Sequence, residues 1–104
     1  MIDWARVTEL KSEIGEADFS EVVDMFLEEV EEVIDKLRNA PVKAELEIDL
    51  HFLKSSALNL GFADFARICG DGERAAAMGG DVALGPIIDS YLASRADFAI
   101  GTAA

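Results

Sequence analysis

The stretch Pro41–Gly61, PVKAELEIDLHFLKSSALNLG, decides how this chain folds. Placed on a helix at ~100° per residue, Leu46, Leu50, Leu53, Ala57 and Leu60 fall on one stripe, in alternating steps of four and three. That stripe predicts a core seam. Pro41 suits a first helical turn, where its missing amide hydrogen is not needed. Gly61 suits a left-handed stop. The spacing therefore predicts one helix from Pro41 to Leu60. A second stripe holds Ala44, Ile48, His51, Ser55, Leu58 and Phe62. It is mostly apolar, yet it points away from the seam. Two explanations stand side by side at this point. The helix is central and covered on both sides, or the stripe is an exposed apolar patch around the chain's single histidine, which marks a binding surface.

The flanking segments extend the helical reading outward. Asp3 can cap a short helix over Trp4 to Glu13, ended by Gly15. Asp18 with Glu21 reads as a capping-box-like start. From there Phe19, Val22, Val23, Phe26, Val30, Val33, Ile34 and Leu37 recur at helical spacing. Glu21, Asp24, Glu28, Glu31, Glu32 and Asp35 occupy the other side, a solvated face. A further helix is expected over Ala63 to Met78. Gly70 and Gly72 weaken it, because each costs ~1 kcal/mol against alanine inside a helix; a kink or close packing would account for them. Gly79-Gly80 marks a turn. Pro86 is expected to open the last helix, with Ile87, Ile88, Tyr91, Leu92 and Phe98 apolar. The final GTAA, residues 101–104, is expected to fray. The fold class read from this pattern is all-α, an antiparallel up-and-down four-helix bundle over residues 16–100 with a short extra helix in residues 1–15. One domain is expected over residues 1–104, as a monomer.

Charge and composition narrow the function. The 104 residues include 21 acidic and nine basic ones, a net charge of −12, and are 51 % hydrophobic. Such a surface repels nucleic acid and anionic lipid, so neither is an expected partner; a protein partner is. Cys69 is the only cysteine. It offers no disulfide and no cysteine cluster for zinc, and reads as a small buried hydrophobe. MIDWARVTEL lacks the apolar run of a signal peptide. No apolar stretch approaches the ~20 residues of a membrane span. A cytoplasmic location is the expectation.

His51 carries the chemistry. Without a serine or cysteine nucleophile pattern it makes a poor hydrolase, and it lacks the partner ligands of a metal site. A lone exposed imidazole can instead accept a phosphoryl group on itself as a covalent intermediate. That role asks for a nearby cation and small neighbours. Lys54, three residues on, is within side-chain reach on the same helix, and Ser55 is small. Each has a plain alternative, since Lys54 can be an ordinary surface lysine. Glu47 or Asp49 beside His51 would be the carboxylate of a small acid–base enzyme, though no substrate pocket is evident. No Gly-rich phosphate loop is present.

HFLKSSALNLG resembles the central motif of the histidine-containing phosphotransfer (HPt) domain family, roughly His-x-Leu-Lys-Gly-Ser-(Ser/Ala)-x-x-Leu-Gly. His51, Leu53, Lys54, Ser56, Ala57, Leu60 and Gly61 stand in register, and the helix order is similar to that family's bundle. Ser55 departs from the usual glycine. It adds a hydroxyl about one turn from His51. The resemblance implies a phosphocarrier. His51 would take a phosphoryl group, through Nε2, from a receiver-domain aspartate or a histidine kinase and pass it to a response-regulator receiver. Lys54 and Ser55 would stabilise the group. Ala44, Ile48, Leu58 and Phe62 would form the docking ring, their alternative role being helix packing, as for Phe52. Leu53, Leu60 and Gly61 would be structural. No bound cofactor is implied, and Mg²⁺ is expected on the receiver. Glu73 comes near the site only if its helix runs antiparallel to that of His51; otherwise it is a solvated surface residue. The rival reading is a helical adaptor that docks receivers without phosphate transfer. The absence of a kinase or receiver segment implies a free-standing carrier.

Overall fold

The computed structural model describes residues 1–102. Five α-helices follow one another: α1 (Trp4–Ile14), α2 (Glu16–Asn39), α3 (Leu46–Leu60), α4 (Ala63–Ala77) and α5 (Leu84–Thr102), with a 3₁₀ turn, Lys43–Glu45, leading into α3. α3 is the hub. It packs most extensively on α4 and also meets α1 and α2, while α5 closes against α4 and α2. The predicted seam is the part of α3 that reaches the core: Leu46, Leu50, Leu53, Ala57 and Leu60 are all buried, joined by Phe65 and Cys69 of α4 and Tyr91 of α5. Each large apolar side chain so buried contributes ~1.5–3 kcal/mol relative to exposure.

The helix ends follow from local chemistry. The Asp3 carboxylate accepts from the Arg6 amide at 3.2 Å and caps α1. Gly15, at φ 97°, ends α1 and opens α2 in one residue. Asp18 therefore does not cap α2. It lies inside the first turn with Glu16, where carboxylates favour the positive end of the helix dipole. α3 starts at Leu46, not Pro41. Ala40, at φ −153° and ψ 60°, has left the helical region, which a residue before proline avoids, and Val42 is extended. The 3₁₀ turn is tied back to α2 by Lys36, whose ammonium reaches Glu45 at 2.5 Å and Asp49 at 2.9 Å. These two carboxylates, Glu45 first, hold the Lys36 pKa above its ordinary value.

Gly61 ends α3 in the left-handed region, φ 78° and ψ 20°. Its carbonyl accepts from the Asp3 amide at 2.7 Å. A Cβ there would fall 2.7 Å from the Asp3 carbonyl oxygen, so conformation and space both call for glycine. Beyond this turn Phe62 drops into the core beside Phe98 and Tyr91, with ring centroids 5.5 and 6.4 Å away.

α4 runs through both glycines as one helix. A Cβ at Gly72 would meet Leu50 Cδ1 at 3.1 Å and Ile87 and Val82 methyls at 3.3 Å, so close packing explains that glycine. α5 begins at Leu84, two residues before Pro86, which still falls in the first turn. The expected frayed tail is corrected in part. Gly101 and Thr102 continue α5, because Trp4 stacks on Phe98 at 6.0 Å and lies where a Gly101 side chain would be. The Thr102 hydroxyl donates to the Phe98 carbonyl at 2.8 Å. Ala103 and Ala104 lie outside the described residues.

Candidate functional site

His51 sits in the middle of α3 on the side away from the seam, its side chain 61 % exposed. The seam fixes that placement, since burying Leu50 and Leu53 turns His51 toward solvent. The partner that defines the site comes from α4. His51 Nδ1 lies 2.9 Å from Glu73 Oε2, and Lys54 Nζ lies 2.8 Å from Glu73 Oε1. Glu73 thus bridges the imidazole and the ammonium across the α3–α4 interface, with its own side chain only 19 % exposed.

The electrostatics set the ring's state. Lys54 first, and His51 as well, hold the Glu73 carboxyl below its ordinary pKa, against the opposing effect of burial. At neutral pH Glu73 is therefore a carboxylate, which accepts hydrogen bonds and donates none. Nδ1 must then be the nitrogen that donates. In the neutral ring the other nitrogen, Nε2, carries a free lone pair. A surface histidine so held is an oriented nucleophile.

The remaining predicted residues divide. Ile48 and Leu58, 71 % and 58 % exposed, flank His51 as an apolar surface. Ser55 is exposed one turn along. Ala44 is exposed in the 3₁₀ turn ahead of α3, outside the helix whose spacing linked it to His51. Phe62 is a correction. It is 1 % exposed and packs in the core, because Gly61 turns the chain before it and the helical wheel no longer applies. Leu53 and Leu60 are core residues, and Gly61 forms the turn. Phe52 is partly buried against the core. Asp49 is engaged by Lys36 of α2 and Glu47 is exposed; the carboxylate at the imidazole is Glu73. No signal within α3 could have selected Glu73, 22 residues away; only the packing of α3 on α4 does so.

Cys69 lies behind this site in the core. Burial, with a smaller effect from Glu73, pushes its thiol up to about 12, so it is an inert hydrophobe there. Among the described residues no group of three or more histidine, cysteine or carboxylate side chains is placed to hold a metal ion, and no helix is long and apolar enough to cross a membrane.

The helical hub thus presents an exposed, carboxylate-oriented histidine beside a lysine. Comparison with known protein families matches residues 21–96 to the Hpt domain. The chain belongs to the Hpt domain family, whose members carry phosphoryl groups in phosphorelay signalling and are not classical enzymes. The match takes in α3, α4 and most of α2 and α5, and leaves α1 outside. Neither the curated proteins nor the solved structures yield a match to the chain.

Proposed function

We propose that the protein is a phosphorelay carrier in which His51 Nε2 accepts a phosphoryl group from a receiver-domain aspartyl phosphate, or from a histidine kinase, and returns it to the aspartate of a response-regulator receiver. The observation that carries this reading is the Nδ1–Glu73 contact at 2.9 Å on an otherwise exposed ring. The Nε2 lone pair attacks phosphorus as the bond from phosphorus to the aspartyl oxygen breaks, and the donor aspartate leaves as a carboxylate. Nδ1 keeps its proton, so the phosphorylated ring is cationic, and the Glu73 carboxylate offsets that charge. Onward transfer reverses these bond changes and restores the neutral ring. Lys54, held at Glu73, supplies a point charge for the phosphoryl oxygens. Positioning and charge stabilisation dominate such transfers, and this chain contributes both with few groups. Ser55, exposed one turn from His51, contacts the phosphoryl group in this reading.

The receiver docks on the apolar ring of Ile48 and Leu58, with Ala44 at its edge. Mg²⁺ belongs to the receiver. The carrier acts as a cytoplasmic monomer in which α2–α5 form an antiparallel up-and-down bundle. The test is a mass shift. The protein is incubated with Mg²⁺ and a receiver domain charged by a small phosphodonor. An acid-labile, base-stable adduct on His51, absent from His51→Gln, is the expected result. A panel of receivers that bind without leaving an adduct would overturn phosphotransfer in favour of an adaptor.

A further inference from the structure

Gly70 and Gly72 sit two residues apart in α4, yet the structure accounts for them differently. Gly72 faces the core. Gly70 faces Lys54: a Cβ built there would lie 3.3 Å from Lys54 Cδ and 3.7 Å from Arg74 Nη1. The Lys54 stem thus crosses α4 directly over Gly70 on its way to Glu73, one turn further on. A shallow hollow of about 330 Å³ opens at this crossing, lined by Lys54, Leu58, Ala66, Arg67, Gly70 and Arg74. Its other cations are held on their own helix, for Asp71 pairs with Arg74 and lies 4.0 Å from Arg67. Lys54 is the cation of this hollow that reaches the histidine's carboxylate.

We propose that Gly70 is a positioning residue: its missing side chain keeps open the track along which Lys54 lies against α4 and reaches Glu73 beside His51. The inference rests on the phosphotransfer reading for its effect on rate, but its structural content stands on the Gly70–Lys54–Glu73 contacts. A glycine inside a helix is intrinsically unfavourable, and here the space it leaves serves the site. A methyl at position 70 would press on the Lys54 stem, which must give by a few tenths of an ångström, and a longer side chain would lift it off α4. The ammonium would then leave Glu73 and lose its fixed place next to the ring.

The experiment compares Gly70→Ala and Gly70→Leu, each in the wild-type and Lys54→Met backgrounds, by rate of phosphoryl uptake from a charged receiver. Melting temperature and the titration of Glu73, followed by carboxyl ¹³C NMR, are read alongside. Gly70→Ala is expected to raise Tm by about 4 °C while slowing uptake roughly threefold. Gly70→Leu, whose side chain the open hollow admits, is expected to slow it more than tenfold. Both are expected to move the Glu73 midpoint up toward its ordinary value, since Lys54 is the main group depressing it. In the Lys54→Met background neither substitution should slow uptake further, a result that a merely structural role would not give. An unmoved Glu73 midpoint in folded Gly70→Leu, or an equal loss of rate without Lys54, overturns the proposal. If Gly70→Leu fails to fold, the Gly70→Ala cycle decides. If wild-type protein takes up no phosphoryl group, the function reading fails, and the Glu73 titration still decides the role of Gly70.

Discussion

One side of α3 buries Leu50 and Leu53 completely, while the other leaves Ile48 and Leu58 mostly in solvent with His51 between them. Both sides carry large apolar residues, and they differ in what covers them. α1, α2 and α4 pack around the seam; no described element covers the ring around the histidine. The difference teaches that the seam holds the fold and that the exposed stripe contributes little to it. In the phosphocarrier reading proposed above, the receiver would cover this apolar patch.

Substitutions can break or sharpen that contrast. The largest expected effect is on the exposed side: His51→Gln should remove phosphoryl uptake entirely while leaving the helical circular dichroism and melting curve unchanged. A residual His51-independent adduct would place the acceptor elsewhere. On the buried side, Leu53→Ala should destabilise the protein by ~2–5 kcal/mol, the range for truncating a fully buried leucine, measured by urea unfolding. Ile48→Ala and Leu58→Ala should change stability by no more than ~0.5 kcal/mol, yet weaken transfer from a receiver several-fold at subsaturating concentration. If instead they destabilise as Leu53→Ala does, the stripe is packed and not free.

The smallest expected effect is on the pH dependence of stability. The folded-state pKa of Glu73 lies below its ordinary value of 4.5. The group's contribution is therefore fully present above that unfolded-state value and is lost as pH falls through the lower folded-state one. Glu73→Gln should flatten this part of the acid limb and leave the slope above it unchanged. An acid limb identical to wild type would show that the Lys54–Glu73–His51 cluster adds no net stability.

The seam of α3, the amphipathic α2 and the motif around His51 were legible in the sequence because each is periodic along one helix. What periodicity cannot see is a turn. Phe62 fell on the histidine's stripe by spacing, but Gly61 adopts a left-handed conformation and sends Phe62 into the core. Pro41 looked like a helix start. Non-helical backbone at Ala40 and Val42 instead delays α3 to Leu46, and Lys36 ties the intervening turn to α2. Gly70 and Gly72 gave the same warning in the sequence. One makes room for three core side chains and the other lies under the Lys54 stem.

By itself the sequence determined an all-helical chain, the buried stripe of α3, and a single histidine with a lysine within reach. These depend on spacings of three and four residues, which a helix converts directly into contact. Tertiary structure alone decided that the second stripe is exposed around His51, that Glu73 holds Nδ1 and frees Nε2, and that Lys54 crosses α4 at Gly70. Those contacts join residues 16 to 22 positions apart. No local rule specifies such a distance, and it is set by how α4 lies on α3.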